Sequence, residues 1–256
     1  MGPSETRALA PGVPSDYYDR IAEVERDHWW YRGTREIAAG LLGKRLRSGG
    51  GLLDAGCGTG GFLRWALDEG SFSQAAGVDV SSVAIELARV RVPEATFEVA
   101  PVSALPYSDA SFDLTVMNDV LQHVPEDELD RTMDELRRTL APDGALLIRT
   151  NGSRRLRRER DDWRAYDAAT LRALLSGAGF RIERLTHANM LPSAWGQLRG
   201  WVPHAPSEEQ HGIPVQPGRM QSSVALATLR IERTLLARTR VSLPFGHTLF
   251  ALAVPS

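Results

Sequence analysis

The sequence contains a single cysteine, Cys57, among its 256 residues, so an internal disulfide bond is impossible. Its apolar stretches are short, and none approaches the roughly 18 residues that a membrane-spanning helix needs. The first residues, "MGPSETRALAPGVPS", lack the continuous apolar core of a secretory signal peptide. These absences predict a protein of the reducing cytoplasm without a membrane span. Residues 1–15 are expected to be flexible.

A large excess of charge is also missing, because the formal net charge is -2 and the isoelectric point is near 6.3. A chain without a strong overall field is not expected to recruit nucleic acid or an acidic bilayer. A hydrophobic content of 43% over 256 residues is enough to close one substantial core. We therefore expect a single domain over residues 16–256, while the sequence leaves the oligomeric state open.

Short apolar segments alternate with segments of helical periodicity in the first 150 residues. The predicted strands are "GLLDAG", "AAGVDV", "ATFEVA", "FDLTVMN" and "ALLIRT". Helical spacing between Tyr17 and Arg47 predicts two further helices ahead of the first strand. Because right-handed crossovers place helices on both faces, this alternation predicts an α/β fold with a doubly wound, mostly parallel sheet.

The pattern changes after Thr150. "FRIERLTHA" and "FGHTLFALAVP" are predicted as two further strands, which makes seven, and the last is expected to return to the sheet edge. Between these strands, residues 188–240 are predicted to form a helical cap inserted over the sheet. The stretch "RRLRRERDDWRAYD" is predicted to be a solvated charged helix because acids are interspersed among its arginines. The alternative is a basic site for an anionic acceptor.

The stretch "LLDAGCGTGG" places Asp54 just ahead of a glycine-rich turn. Gly56, Gly58 and Gly60 let the backbone turn sharply and approach a ligand closely. The same glycines fit the dinucleotide fingerprint, so they leave a nicotinamide-dependent oxidoreductase open. Asp54 favours another ligand, because its charge would repel a pyrophosphate by about 1 to 4 kcal/mol and attract an ammonium group. Asp79, which ends the second predicted strand, is placed to accept hydrogen bonds from both hydroxyls of a ribose.

S-adenosylmethionine has an ammonium group that suits Asp54 and a ribose that suits Asp79. The part of the molecule between them would pack closely against the glycines. Four blocks in order, "LLDAGCGTGG", "GVDVS", "ALPYSDASFDLTVMNDVLQHV" and "LRRTLAPDGALLIRT", resemble the class I S-adenosylmethionine-dependent methyltransferases. The resemblance covers roughly residues 45 to 150, and the two ends of the chain resemble a bacterial subgroup less specifically. It implies a Rossmann-like fold that binds S-adenosylmethionine and releases S-adenosylhomocysteine.

The resemblance also implies roles for matching positions. Asp54 and the glycine-loop backbone would hold the methionine end, Asp79 the ribose and Val80 the adenine. The cofactor residues it assigns are Asp54, Gly56, Cys57, Gly58, Gly60, Asp79, Val80 and Asn118. One departure concerns the acid that in many relatives receives the adenine amino group, because Pro101 stands at about that position. Proline offers neither a backbone donor nor a side-chain acceptor, so the contact is predicted to pass to Val102 or Ser103.

Other residues are candidates on weaker grounds. His123 is the candidate general base, since its unperturbed pKa of about 6.5 suits taking a proton from a hydroxyl, although a histidine here can also serve packing alone. Trp30, in "HWWY", is predicted either to close over the sulfonium or to anchor an N-terminal helix. Arg35 is a candidate partner for the cofactor carboxylate. The acceptor-side candidates are Tyr166, His187 and Asn189.

The sequence as a whole predicts a methyltransferase that acts on a small molecule by in-line transfer, with no metal. Methylation at oxygen, nitrogen or carbon remains open, because the segment over the sheet has no signature that identifies an acceptor. Two alternatives stay open beside it. One is a nicotinamide-dependent oxidoreductase, and the other is a module that binds the cofactor without transferring the methyl group.

Overall fold

The computed structural model describes residues 16–152, 164, 166–191, 218–239 and 241–256. Three of the predicted segments fall partly or wholly outside these described residues. They are the N-terminal segment 1–15, most of the arginine-rich stretch that follows residue 152, and the part of the predicted cap between residues 192 and 217.

The described part of the chain contains seven strands and seven α-helices. The strands are β1 (Gly51–Ala55), β2 (Gln74–Asp79), β3 (Thr96–Val99), β4 (Phe112–Asn118), β5 (Leu140–Asn151), β6 (Phe180–Ala188) and β7 (Thr248–Pro255). The helices are α1 (Tyr17–Val24), α2 (Trp29–Leu42), α3 (Gly61–Glu69), α4 (Ser82–Arg91), α5 (Leu129–Thr139), α6 (Ala168–Gly177) and α7 (Arg219–Arg238). Short 3-10 helices cover Gly43–Arg47, Leu121–His123 and Glu126–Glu128.

The strands form one sheet in the order β3-β2-β1-β4-β5-β7-β6. All neighbours pair in parallel except β7, which runs antiparallel to both β5 and β6. The predicted α/β class and the mostly parallel seven-stranded sheet are confirmed. The predicted edge position of the last strand is wrong, because β7 lies between β5 and β6. Every residue of β7 before Pro255 is buried, as expected of an apolar strand that is paired on both sides.

The two faces of the sheet pack against different helices, because side chains of a strand alternate between its faces. On one face, Leu52 of β1 belongs to a core with Ile37 of α2 and Ile85 of α4. On the other face, Leu53 belongs to a core with Met133 of α5. The sheet is therefore doubly wound. Its parallel strands end at a common edge, where ligands bind in folds of this kind.

Helices α2 and α7 pack closely through glycines. A Cβ atom built on Gly33 would lie 2.1 Å from Leu229 Cδ1, and one on Gly40 would lie 3.2 Å from Ala237 Cβ. Arg230 of α7 also reaches the Glu36 carboxylate at 3.1 Å. In these pairs the residue numbers rise along both helices in the same direction, so α7 runs parallel to α2. Helix α7 therefore begins near the edge where the parallel strands end.

Helix α7 is also fastened to the end of β6 by a buried carboxylate. Glu232 is 2% exposed, and its side chain accepts the backbone N–H groups of Asn189 at 2.7 Å and Leu191 at 2.9 Å. Burial raises the pKa of the Glu232 carboxyl, and the backbone donors oppose that shift. The point at which the chain leaves β6 is therefore held against α7.

Candidate cofactor site

The glycine-rich turn after β1 requires backbone conformations that favour glycine. Gly56, Gly58 and Gly60 have φ values of 84°, 52° and 77°. A Cβ atom on Gly56 would lie 2.2 Å from Val120 Cγ2, whereas one on Gly58 would have no heavy atom within 4 Å. The turn is therefore packed tightly at its first glycine and opens toward the crevice at its second.

Asp54 lies beneath this turn and is only 1% exposed. Its Oδ1 atom has no hydrogen-bond partner among the described residues. Burial raises the pKa of the Asp54 carboxyl well above its usual range; the charge of Glu25 adds to the shift, and Arg149 opposes it. A buried carboxylate oxygen with no internal donor costs free energy unless a ligand supplies one. An ammonium group fits this requirement, so the residues present suit the cofactor that the resemblance implies.

Asp79 lies at the end of β2, beside the same turn. Its Oδ2 atom accepts the Gly58 N–H and its Oδ1 atom accepts the Ser81 N–H, both at 2.9 Å. Burial raises the pKa of this carboxyl, and the backbone donors oppose the shift. An ionised carboxylate has about four lone-pair sites, so these backbone donors leave acceptor capacity for a ribose hydroxyl. The next residue, Val80, is 60% exposed and offers an apolar surface beside that position.

The turn after β3 lies next to Asp79. The Ala100 N–H donates to the Asp79 carbonyl oxygen at 3.1 Å, which places Pro101, Val102 and Ser103 directly beyond the predicted ribose position. Asn118 ends β4 on the same edge, and both polar atoms of its side chain are buried without a hydrogen-bond partner among the described residues. The contacts of the turn with the adenine, and of the Asn118 backbone with the methionine moiety, remain predictions.

Glu25 is a residue that the sequence did not reveal as part of this site. Its Oε2 atom accepts hydrogen bonds from Thr59 Oγ1 at 2.8 Å and from Arg91 Nη1 at 2.7 Å. A Cβ atom on Gly61 would lie 2.0 Å from Glu25 Cδ, so the carboxylate lies against the first turn of α3. A dinucleotide of the Rossmann type places its pyrophosphate at this helix N-terminus. In this chain an internal carboxylate takes that place.

Arg149, near the end of β5, forms a second cluster that the sequence did not reveal. Its guanidinium donates to Asp119 Oδ2 at 2.6 Å and to Thr34 Oγ1 at 2.8 Å, and it lies 4.8 Å from the centroid of the Trp30 ring. These contacts fasten the start of α2 to β4 and β5. The Trp30 ring, predicted to meet a sulfonium or to anchor a helix, stacks on an arginine of the protein itself. Arg35 is 8% exposed and donates to the Arg26 carbonyl oxygen at 2.9 Å.

The predicted acceptor-side residues are mostly engaged within the protein. Tyr166 is 1% exposed, with its hydroxyl 3.5 Å from the Leu121 carbonyl oxygen. The two ring nitrogens of His187 lie 3.1 Å and 3.2 Å from backbone carbonyl oxygens, and Asn189 Nδ2 donates to Thr248 Oγ1 at 2.8 Å. Their roles with an acceptor remain predictions.

His123 and Cys57 differ sharply in exposure. His123 is exposed on the 3-10 helix that follows β4, near the edge that carries Asn118. Its role as a base remains a prediction. Cys57 is 6% exposed, and burial raises the pKa of its thiol well above the usual range. The thiol is therefore a small packing group of the glycine-rich turn, whose backbone is the part available to a ligand.

No helix in the described ranges is both long and apolar enough to cross a membrane. No group of three or more histidine, cysteine, aspartate or glutamate side chains in those ranges is arranged to hold a metal ion.

Comparisons with known proteins bear on the same region. Residues 53–148 match a family model described as a methyltransferase domain. A malonyl-(acyl-carrier protein) O-methyltransferase from Enterobacter lignolyticus is 31% identical over 169 residues, which cover 65% of this chain and 62% of that relative. A probable S-adenosylmethionine-dependent methyltransferase from Mycolicibacterium smegmatis is 28% identical over 182 residues, covering 69% of this chain and 68% of the relative. The matched part of this chain thus spans less than two thirds of the first relative.

A solved structure shares the fold at low sequence identity. The geranyl diphosphate C-methyltransferase from Streptomyces coelicolor, crystallised with Mg2+, geranyl diphosphate and S-adenosyl-L-homocysteine, superposes with a TM-score of 0.58 and 18% identity. The match covers 100% of this chain and 87% of that one. The likeness supports the architecture described above.

Proposed function

We propose that the chain is a class I S-adenosylmethionine-dependent methyltransferase that transfers a methyl group from S-adenosylmethionine to a small-molecule acceptor. The observation that carries this proposal is the buried Asp54 carboxylate, which has one oxygen without a partner among the described residues and lies beneath a turn that opens at Gly58. Asp54 would hold the ammonium group, and Asp79 would hold the ribose.

The bound cofactor supplies a methyl group on a sulfonium that is already activated for displacement. The protein therefore mainly aligns the acceptor and excludes water, effects that supply about 7 to 11 kcal/mol in well-oriented reactions. The exposed His123 would take a proton only from an acceptor that is an un-ionised hydroxyl or a protonated amine. Trp30 and Arg35 would act by holding α2 beside the crevice.

The Enterobacter relative is named for a malonyl group on an acyl-carrier protein, so a malonyl thioester belongs in the first panel of acceptors to assay. Small hydroxyl, amine and carbon-acid acceptors complete the panel, since O-, N- and C-methylation all remain open. We propose no nucleic-acid acceptor, because the net charge of -2 provides no basic field.

We also propose that residues 16–256 form one methyltransferase domain, with residues 188–240 inserted as a cap. Strands β6 and β7 support this reading, since they flank the segment and pair with each other in the sheet. Helix α7, the described part of the segment, packs beside α2. The single cysteine supports a cytoplasmic location for the activity.

Calorimetry with S-adenosylhomocysteine tests the proposed function. We expect binding by the wild-type protein and a rise in Kd of about 100-fold for Asp79→Ala, because each hydrogen bond to a charged group contributes about 1.5 to 3 kcal/mol. Asp143→Ala, at an exposed position near the start of β5, is the matched control and should bind as the wild type does. Binding of a nicotinamide dinucleotide instead would overturn the proposal.

An assay of methyl transfer distinguishes the proposed enzyme from a module that only binds the cofactor. Tight binding of S-adenosylhomocysteine with no methyl transfer to any member of the acceptor panel would favour a module that binds the cofactor without using it. The Glu25 carboxylate argues against the oxidoreductase, since a dinucleotide pyrophosphate at the start of α3 would have to displace it.

A further inference from the structure

The turn that follows β3 lacks an acidic side chain where the adenine amino group would need an acceptor, because Pro101 stands there. Among residues 100–105, which form this turn, Ser103 is the one polar side chain, and it is 5% exposed. An exocyclic amino group carries two protons and leaves a donor unsatisfied if no acceptor faces it. Ser103 is therefore the side chain of this turn that can replace the missing acid.

A serine hydroxyl both donates and accepts, so its orientation decides what it offers a ligand. The Ser103 Oγ atom lies 2.6 Å from Oε2 of Glu128, on the 3-10 helix that precedes α5. An ionised carboxylate can only accept, so the hydroxyl proton points to Glu128. The length is that of a charge-assisted bond between a hydroxyl and a carboxylate. The remaining lone pairs of Ser103 are then left as acceptors, strengthened by polarisation through the bond.

The backbone of the same turn is held in place by other contacts. The Ala104 N–H donates to the Pro101 carbonyl oxygen at 3.0 Å, and the Leu105 N–H donates to Glu135 Oε2 at 2.8 Å. The N–H groups of Val102 and Ser103 have no such partner among the described residues. The turn thus offers a hydroxyl acceptor and backbone donors side by side, which complements the amino group and the adjacent ring nitrogen of a 6-aminopurine.

We propose that Glu128 is a positioning residue that commits the Ser103 hydroxyl to accepting the exocyclic amino group of the cofactor, so that the pair selects a 6-aminopurine. This inference rests on the proposed function. Glu128 acts through Ser103 and does not itself touch the cofactor. The Ser103–Glu128 pair thus takes the place of a single acid on the turn, and its acid lies 25 residues further along the chain.

The test compares two ligands that differ only at the amino group. S-adenosylhomocysteine and its 6-deamino analogue, in which hydrogen replaces the amino group, are titrated calorimetrically into each full-length variant. We expect the wild-type protein to bind the amino ligand about tenfold more tightly, since one hydrogen bond and one otherwise unsatisfied group separate the two. The ratio should fall to about 1 for Ser103→Ala and to about 3 for Glu128→Ala.

Two further variants make the readout specific. Glu128→Gln keeps an oxygen that can accept the Ser103 proton, so its ratio should lie between those of Glu128→Ala and the wild type. Asp127→Asn removes a charge from the neighbouring exposed residue and should leave the ratio unchanged. A structural role for Glu128 would weaken both ligands equally, and an unchanged ratio in Glu128→Ala would therefore overturn the inference.

The other outcomes are equally decisive. A wild-type ratio near 1, or a ratio that survives Ser103→Ala, would show that the amino group is received elsewhere and would overturn the inference while leaving the proposed function intact. If the wild-type protein binds neither ligand, the proposed function fails and the inference fails with it.

Discussion

The two halves of the crevice at the end of the parallel strands treat their polar side chains differently. Around β1 and β2, Asp54 keeps an oxygen without a partner among the described residues, and the donors to Asp79 are backbone N–H groups. Around β5, β6 and β7, the buried charged side chains Arg149 and Glu232 bind groups of the protein itself. Arg149 binds Asp119, and Glu232 accepts two backbone N–H groups.

This difference identifies the polar groups that are available to a ligand. A buried group without an internal partner lowers stability until a ligand supplies one, whereas a buried group with partners stabilises the fold. The β1–β2 half is therefore organised for a ligand with fixed chemistry. The other half uses its buried polar groups to hold α2 and α7 in place. Substitutions in the two halves should consequently separate ligand affinity from stability.

The largest expected effect comes from Gly56→Ala in the β1–β2 half. The new Cβ would lie 2.2 Å from Val120 Cγ2 at a φ of 84°, so strain and overlap act together. We expect the free energy of unfolding to fall by about 3 kcal/mol or more. Chemical denaturation of the purified variant measures this loss.

Gly58→Ala is the matched variant, because it adds the same methyl group to the same turn. Its Cβ meets no heavy atom within 4 Å, so only the left-handed strain of about 1 to 2 kcal/mol remains. The methyl group projects into the crevice, and affinity for S-adenosylhomocysteine should fall far more than stability does. Equal losses of stability in the two variants would show that this turn does not open to a ligand.

Asp54→Asn should weaken ligand binding and increase the stability of the ligand-free protein. We expect the Kd for S-adenosylhomocysteine to rise about 30-fold or more, because the ammonium group loses a buried charged partner. Without ligand the variant should be more stable than the wild type at neutral pH, since the uncompensated buried charge is gone. Thermal unfolding with and without saturating ligand measures both effects.

The pH dependence of stability in the ligand-free protein tests whether the pKa of Asp54 is raised. Burial raises the pKa of Asp54 above its unfolded value of about 3.9. The wild type is therefore not penalised below about pH 4, and it loses stability as the pH rises from there through the folded-state pKa. The stability curves of the wild type and Asp54→Asn should converge near pH 4 and separate toward neutrality. Parallel curves would contradict a raised pKa at Asp54.

The smallest expected effect on ligand affinity belongs to Glu232→Ala in the other half. Two buried backbone N–H groups lose their acceptor, so the free energy of unfolding should fall by about 2 kcal/mol. Glu232→Gln keeps an accepting oxygen and should lose less. Affinity for S-adenosylhomocysteine should not change in either variant, as calorimetry can determine. A tenfold loss of affinity in Glu232→Ala would mean that the two halves are not separable.

The sequence predicted the fold class and the position of Asp54 and Asp79 because the signals are local. The strands, the glycines and the two acids lie within short segments whose order alone gives the topology. The roles of Glu25 and Arg149 were not predicted, because their partners Thr59 and Thr34 lie 34 and 115 residues away in the sequence. Folding alone brings these residues together. The position of β7 was mispredicted for a related reason, since an apolar strand is compatible with either place at that end of the sheet.

Glu232 ties the end of β6 to α7, and the glycine contacts of α7 tie that helix to α2. The chain between residues 192 and 217 thus departs from one anchored point and returns to another. We expect changes of length or composition between these anchors to leave Asp54, Asp79 and the glycine-rich turn undisturbed, because none of the anchoring contacts involves them. In the proposed methyltransferase, acceptor preference can therefore change without altering the cofactor site.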